Sequence, residues 1–165
     1  HSARVALYAD CIAAELGLEP HRRRWLKRAS LLHDMGKLGV SNAILDKPGK
    51  LDEAEWAAVR QHAVYTETIL SRIGAFTEMA IVSGAHHERL DGKGYPRGIS
   101  GEAISLETRI ITTADIFDAI TAERPYRGAM PVAKTLAIMG SEVGQAIDAR
   151  CFEALQRIVD ELGLS

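Results

Sequence analysis

The sequence lacks several features that mark particular classes of protein. No apolar run approaches the roughly 18 residues of a membrane-spanning helix. Aromatic residues make up only 5% of the chain, and no segment alternates apolar and polar residues for long, which argues against a sheet protein. The 165 residues carry a net charge of −2, so the overall charge provides no general attraction to nucleic acid.

Cysteine is also scarce, and its placement argues against a disulfide framework. Cys11 and Cys151 lie far apart in apolar helical patterns, which suits buried free thiols in a reducing compartment. The chain shows no signal peptide, so we expect a cytoplasmic protein. It begins at His1 rather than Met and enters a helical pattern at once, so we expect one domain, residues 1–165, taken from a longer protein.

The residues that are present predict an all-α fold. Apolar residues make up 47% of the chain, enough for one domain of this length to bury a core. Their spacing predicts a compact multi-helix bundle with helices at about residues 2–16, 20–35, 52–74, 75–88, 105–122, 131–144 and 149–162. Two glycine-rich loops, residues 36–51 and 91–104, interrupt it, and long irregular segments in a compact domain are commonly functional.

Histidines and carboxylates are concentrated around these loops. The chain has six histidines, of which His33 precedes Asp34 and His86 precedes His87. Asp115 lies in an apolar helical stretch, where an uncompensated carboxylate is costly to bury. Imidazole nitrogens and carboxylate oxygens without a thiolate suit Fe, Mn or Zn. The candidate ligands are His1, His33, Asp34, His62, His86, His87 and Asp115.

Spacing alone leaves two interpretations of these residues open. Any single histidine on an apolar helical face is more often a core residue whose hydrogen bonds are satisfied than a metal ligand. If the residues do converge, Asp34 is the natural bridge, because each oxygen of its carboxylate can hold one of two ions.

Four segments resemble the HD-GYP subfamily of the HD superfamily of metal-dependent phosphohydrolases. They are HDMGKLGVSNAILDKPGKL (33–51), HHERLDGKGYP (86–96), ADIFDAI (114–120) and RPYR (124–127), and the likeness extends over nearly the whole chain. The resemblance implies two or three transition-metal ions, iron or manganese, and an upstream sensory region. It implies hydrolysis of cyclic di-GMP to linear pGpG, and in some members to GMP, by attack of a metal-bridging hydroxide on phosphorus. A few members act on related cyclic dinucleotides such as cyclic GMP-AMP.

The resemblance also implies roles for single residues. The metal ligands are those named above, and Asp34 and Lys37 are the catalytic pair, with Lys37 facing the scissile phosphate. Spacing places Lys37 on the same side as His33 if the second helix persists. The substrate-binding set is Lys37, Arg124, Arg127, Gly94, Tyr95 and Pro96. The family more often has Lys at the position of Arg127, and the glutamate that binds a third ion in some members would precede His1.

Other side chains are expected to support the site or to meet partners. Asp118 is expected to orient a histidine ligand, and Glu88 either does the same or faces solvent. The resemblance implies GGDEF-domain proteins as partners at the GYP loop. The apolar C-terminal helix fits either the core or a homodimer interface. The basic run at residues 21–24 is a solvated face or a contact for an anionic partner.

Three functions compete at this stage. The complete ligand set and Lys37 favour a metal-dependent phosphodiesterase. A receptor that binds a cyclic dinucleotide or a partner protein without turnover is the second possibility. Another HD phosphohydrolase, such as a nucleotidase, is the third, and the GYP segment argues against it.

Overall fold

The computed structural model describes residues 1–123 and 127–164, and these contain α-helices and no β-strand, as the sequence predicts. The α-helices are α1 (Ser2–Glu15), α2 (Pro20–Leu32), α3 (Asn42–Leu45), α4 (Glu53–Ser71), α5 (Thr77–Gly84), α6 (Leu106–Thr121), α7 (Val132–Gly140) and α8 (Ala149–Glu161). Short 3₁₀ turns occur at Met35–Gly39, Gly74–Phe76 and Gly101–Ala103. None of the described helices is long and apolar enough to cross a membrane.

The main core forms around α6. Its residues Ile110, Ile111 and Phe117 are almost completely buried, and α1, α7 and α8 pack against this helix. Helix α1 also packs along α2, so the N-terminal helix lies between two others. This burial of apolar surface is the main source of stability, and it fixes the helix ends that carry the polar residues described below.

The C-terminal helix belongs to the core. Asp148 caps the N-terminus of α8 by accepting hydrogen bonds from the backbone N–H groups of Arg150 and Cys151. The apolar face of the helix is buried within the chain, and its buried residues are Cys151, Phe152, Ala154, Leu155, Ile158 and Val159. Of the two interpretations of this helix, the core interpretation is therefore the one that the structure supports, although Leu162 is 47% exposed.

Four predicted helices are too long at their C-terminal ends. Helix α2 ends at Leu32 rather than near residue 35, and α5 ends at Gly84 rather than near residue 88. Helix α4 ends at Ser71 rather than just before Gly74, and α7 ends at Gly140 rather than near residue 144. The segment after α2 turns into a 3₁₀ turn that packs on α4, where the backbone N–H of Gly36 donates to the Thr66 hydroxyl over 2.8 Å. This packing overrides the local periodicity. The first loop also contains the short helix α3, which its glycines and proline did not predict.

The basic run of α2 is largely paired. Arg22 donates to Glu78 over 2.6 Å and to Glu107 over 3.1 Å, and Arg23 donates to Asp10 over 3.0 Å. These ion pairs join α2 to its neighbours, so part of the run stabilises the bundle instead of facing solvent.

Candidate metal centre

The ends of several helices bring all of the candidate ligands to one place. His33 and Asp34 follow the last residue of α2, and His86 and His87 lie just beyond α5. His1, at the N-cap position of α1, and residues within α4 and α6 complete the set. The donor atoms form two groups, within each of which they lie within 4.8 Å of one another: His62, His86 and His87 in one, and His1, His33, Asp34 and Asp115 in the other.

Asp34 lies between the two groups. Its Oδ2 atom is 3.4 Å from Nε2 of His1 and 3.3 Å from Nε2 of His33. Its Oδ1 atom is 3.6 Å from Nε2 of His62 and 3.5 Å from Nε2 of His86. One carboxylate therefore presents one oxygen to each group, which is the bridging arrangement expected from its chemistry.

The backbone fixes the orientation of three of the histidine rings. The Nδ1 atoms of His33, His62 and His86 each lie 2.5–2.6 Å from the carbonyl oxygen three residues earlier. These acceptors are Ser30, Val59 and Ser83. Because a carbonyl only accepts, each Nδ1 carries a hydrogen, and each Nε2 faces the centre.

Asp118 holds the ring of His1. Nδ1 of His1 donates to Asp118 over 2.6 Å, while Nε2 of His1 lies 2.9 Å from Asp115. The Asp118 carboxylate is only 1% exposed and also accepts from Arg4 over 2.7 Å. The contact has the geometry that an orienting role of Asp118 requires, and Arg4, which no motif in the sequence indicated, holds the carboxylate from a second direction.

Burial and close contacts shift the pKa values in the donor group that contains Asp34 and Asp115. Burial opposes ionisation of Asp34 and Asp115, but hydrogen bonds from His1 and His33 outweigh it and hold the pKa of both carboxyls well below the usual range. The hydrogen bond with Asp115 is the main cause that raises the pKa of His1 to about 10. Burial lowers the pKa of His33, yet its carboxylate partners raise it to about 9.

In the other group, two of the histidines, His62 and His87, resist protonation. Burial lowers the pKa of His62, and burial with the nearby His86 lowers the pKa of His87 to about 2. Neutral imidazoles keep their lone pairs free, and ionised carboxylates supply negative charge. The donor set therefore fits divalent transition-metal ions, which take nitrogen and oxygen ligands. Bound ions would also keep the buried imidazoles and carboxylates apart.

Lys37 reaches the centre by a different route from the one expected. It lies in the 3₁₀ turn after α2, so His33 and Lys37 are not one α-helical turn apart on a continuous helix, as the spacing had suggested. Its Nζ atom is nevertheless 3.0 Å from Oδ2 of Asp34, and its side chain is 42% exposed. The ammonium group thus stands at the solvent side of the bridging carboxylate.

The GYP segment packs directly on the centre. The ring of Tyr95 stacks on the ring of His87, with centroids 4.9 Å apart and planes 22° apart. Pro96 instead lines a surface cavity of about 430 Å³ on the other side of the segment. Gly94 packs so closely on the backbone that a Cβ atom there would lie 2.4 Å from the His87 carbonyl oxygen.

Glu88 takes neither of the roles predicted for it. Its side chain is buried, and its carboxylate oxygens accept hydrogen bonds from the backbone N–H groups of Arg97 and Gly98, over 2.9 and 2.8 Å. It contacts the loop rather than a histidine or solvent, because a buried carboxylate needs donors and the folded loop supplies them.

Two cavities border the donor groups. One, of about 350 Å³, runs from His86, His87 and Asp115 to an apolar wall that includes Tyr95 and Ile116. The other, of about 520 Å³, lies beside Asp34 and Lys37. One cavity therefore reaches Asp115 and the other reaches Asp34. The apolar wall carries no chemical signal that sequence reasoning could have used.

The basic pair of the RPYR segment is only partly visible. Arg124 lies outside the described residues. Arg127 donates to the carbonyl oxygens of Ala119 and Ile120, over 2.8 and 3.2 Å, at the C-terminal end of α6. Both carbonyl-bearing residues line the 350 Å³ cavity. A phosphate contact by either arginine stays a prediction.

Comparison with known proteins places the chain in a family. The HD domain family matches residues 1–151. The 3′3′-cGAMP-specific phosphodiesterase 3 of Vibrio cholerae is 63% identical over 98% of this chain and 35% of its own. The cyclic di-GMP phosphodiesterase response regulator RpfG of Xanthomonas campestris is 40% identical over 93% of this chain and 41% of its own.

A solved structure supports the fold independently of close sequence similarity. The HDG"Y"P protein from Bdellovibrio bacteriovorus superposes with a TM-score of 0.76 at 21% identity, over 97% of this chain and 51% of that one. The chain thus spans little more than a third of the length of the first curated relatives that it matches. Its match over most of its length, together with these relatives, shows that the chain belongs to the HD domain family.

Proposed function

We propose that the chain is a metal-dependent cyclic-dinucleotide phosphodiesterase of the HD-GYP type. The observation that carries the proposal is Asp34, whose two oxygens face two separate groups of nitrogen and oxygen donors. Two cavities and a cation at Lys37 lie at the same place. This combination supports hydrolysis of a phosphodiester. The reaction needs an activated water molecule and stabilisation of negative charge on the phosphate.

The substrate we propose is a 3′,3′-linked cyclic dinucleotide. Cyclic di-GMP is the molecule for which the 40% identical relative is named, and we propose that this chain opens it to pGpG and then to GMP. Cyclic GMP-AMP is the second candidate, and the relative at 63% identity, named for that molecule, favours it. Both share the diester linkage, so the same centre serves either reaction.

The aspartates and histidines of the centre are the residues that would hold the metal ions. Bound divalent cations lower the pKa of water and neutralise phosphate charge. Asp34, Asp115 and the surrounding histidines would hold them. The carbonyl contacts of His33, His62 and His86 keep their Nε2 atoms aimed inward, so these rings need not turn before an ion is held.

Lys37 supplies positive charge on the open side. Its ammonium lies 3.0 Å from Asp34 and remains partly exposed, so a phosphate entering the centre meets a cation already in position. Charge that develops on the equatorial oxygens is stabilised most by groups that need no reorganisation. Arg124 is the further residue that we assign to substrate binding.

Iron or manganese is the metal that we propose, as two or three ions. Nitrogen and oxygen donors without a thiolate support this choice, since Cys11 and Cys151 are no part of the donor groups. Elemental analysis and oxidation-state measurement on protein purified without air test it. Zinc alone, with full activity, would contradict it.

We also propose that the exposed edge of the GYP loop is where a GGDEF-domain partner binds. Lys93 and Arg97 are exposed there, although Arg97 also pairs with Glu67. Binding of an isolated GGDEF domain, measured by calorimetry, should weaken in Lys93→Glu and persist in Lys134→Glu, whose lysine lies on α7. Equal binding by both variants would contradict this surface.

The function is tested by incubating metal-loaded protein with cyclic di-GMP and, separately, with cyclic GMP-AMP. We expect linear products from at least one of them, and faster turnover of cyclic GMP-AMP if the 63% identical relative is the better guide. Absence of product from both, with binding that persists in Asp34→Asn and Lys37→Ala, would establish the receptor alternative.

A further inference from the structure

His87, which is half-buried, is oriented differently from the three buried histidines. Rings of His33, His62 and His86 are each fixed by an Nδ1–H bond to a backbone carbonyl. Within residues 1–123 and 127–164, Nδ1 of His87 has no such acceptor. Its Nε2 atom is nevertheless aimed at the centre, 3.1 Å from Nε2 of His62.

The ring of Tyr95 supplies the missing restraint. It lies almost parallel to the His87 ring, with centroids 4.9 Å apart. Rotation of the His87 ring out of this plane would drive it into the Tyr95 ring, whereas the stacked arrangement keeps their faces in contact. The guanidinium carbon of Arg60 also lies over the Tyr95 ring, 5.7 Å from its centroid.

Glu88 fixes the segment that carries Tyr95. Both of its carboxylate oxygens accept backbone N–H groups two and three residues beyond Tyr95, and the Tyr95 N–H donates to the His87 carbonyl over 3.2 Å. Gly94 allows this approach, because any larger residue would overlap the backbone of residues 87–89. The segment is therefore anchored on both sides of Tyr95.

We propose that Glu88 and Tyr95 are positioning residues that hold the His87 ring in the orientation in which it binds metal. Glu88 anchors the loop, the loop places Tyr95, and Tyr95 sets the plane of His87. The GYP segment thus replaces the backbone carbonyl that orients the other histidines. This inference rests on the proposed metal centre, but it concerns affinity for the ion and not the identity of the substrate.

The test uses Co²⁺ as the probe, titrated into metal-free protein and followed by its visible absorption and by competition with a chelator. Tyr95→Leu removes the flat face, and we expect about tenfold weaker Co²⁺ binding at one site, as for the loss of other outer contacts to metal ligands. Tyr95→Phe keeps the ring and is the matched control. Its affinity should stay within about twofold of the unaltered protein.

A double-mutant cycle separates positioning from a general structural effect. In a His87→Ala background, Tyr95→Leu should weaken Co²⁺ binding no further, because its effect passes through the lost ring. An equal loss in both backgrounds, or no loss from Tyr95→Leu in the first place, would overturn the inference.

Glu88→Gln tests the anchor separately. The amide keeps one acceptor oxygen but turns an NH₂ group toward a backbone N–H, so we expect weaker Co²⁺ binding than in Glu102→Gln, whose side chain is exposed. Unchanged binding in Glu88→Gln would contradict its part of the proposal. If the unaltered protein takes up no Co²⁺, the metal centre itself is wrong. If the unaltered protein binds Co²⁺ and Tyr95→Leu binds it equally tightly, only the positioning role is refuted.

Discussion

At the scale of single residues, the chemistry of the centre depends on charge that is buried and shared. The side chain of Asp34 is only 12% exposed and burial opposes its charge, yet the carboxyl remains ionised because hydrogen bonds from His1 and His33 outweigh burial. A carboxamide has the same shape but no charge and only one acceptor oxygen. The bridging position is therefore the most sensitive place in the chain.

We expect Asp34→Asn to abolish turnover, with a loss of roughly 10³-fold or more, because several kcal/mol of charge stabilisation would depend on the ions that we propose it holds. Metal content should fall at the same time. Asp160→Asn, on the exposed side of α8, is the matched control and should retain both. Full metal occupancy in Asp34→Asn, measured by elemental analysis, would contradict the bridging role.

Lys37 should behave differently from Asp34, since it contacts the carboxylate from outside. We expect Lys37→Ala to lower kcat by roughly 10²–10³-fold while metal content stays unchanged. Lys27→Ala, at an exposed lysine of α2, should leave the rate unaltered. The comparison needs steady-state kinetics together with metal analysis, and a loss of metal in Lys37→Ala would make Lys37 a structural residue.

At the scale of elements, the site depends on how closely the turn after α2 approaches α4. A Cβ atom on Gly36 would lie 1.8 Å from the carbonyl oxygen of His62 and 2.4 Å from the backbone nitrogen of Thr66. Backbone atoms cannot yield as a side-chain end can, so the turn and the helix would have to separate. His33, Asp34 and His62 would separate with them.

Gly36→Ala should therefore destabilise the fold by about 3 kcal/mol, at the upper end of the range for overpacked positions, and should weaken metal binding. Gly74→Ala is the control, because no atom lies within 4 Å of its added Cβ and its backbone is not left-handed. Urea unfolding of both variants checks the difference. Equal midpoints would show that the two elements need not be in contact.

Asp148 links α8 to the segment before α6. Besides capping α8, it accepts from Arg109 over 2.9 Å, and Arg109 also donates to the carbonyl oxygen of Gly101 over 2.6 Å. Burial opposes its charge, but donors from Cys151, Arg109 and Arg150 hold the pKa of Asp148 below its ordinary value of 3.8. Its folded-state pKa is lower than its unfolded one, so its stabilisation is present above pH 3.8.

We expect Asp148→Ala to lower the free energy of unfolding at neutral pH by about 1–2 kcal/mol, the usual loss for an N-cap residue. Asp148→Asn keeps a capping oxygen and should lose less. As the pH falls through the lowered pKa, the unaltered protein should lose this advantage and approach Asp148→Ala. A difference that stays constant down to pH 2, in denaturation followed by circular dichroism, would contradict the assignment.

At the scale of the whole molecule, the donor groups connect helices that are distant in the sequence. His1 precedes α1, Asp34 follows α2, His62 belongs to α4, His87 follows α5, and Asp115 belongs to α6. Ions held by these groups would bind only the folded chain, because the unfolded chain separates the donors. Metal binding is then coupled to folding.

Metal-free protein should consequently unfold at a lower temperature, and added Mn²⁺ should raise Tm in proportion to the logarithm of its concentration. At one hundred times the dissociation constant the stabilisation is about 2.7 kcal/mol. His62→Ala should lose a large part of the shift, whereas His21→Ala, at an exposed histidine of α2, should keep it. If Mn²⁺ does not change the Tm of the unaltered protein, the proposal that these groups bind metal is contradicted.

The sequence by itself determined the all-α class, because helical periodicity and caps are local properties that each segment carries. It also identified the residues from His1 to Asp115 that meet at the centre, since the motifs in which they stand have a specific order and spacing. Their roles as ligands remain to be measured. The local pattern did not predict the C-terminal ends of α2, α4, α5 and α7, where the backbone leaves the helix earlier than expected.

Only the tertiary structure decided which oxygen of Asp34 faces which histidines, that Asp118 holds His1, and that Glu88 anchors the loop instead of a ring. These contacts join residues distant along the chain, and they depend on helix packing to within a fraction of an ångström. A local pattern reports which side chains are available. The distances between them follow from how the core closes around α6, and that is a property of the whole chain.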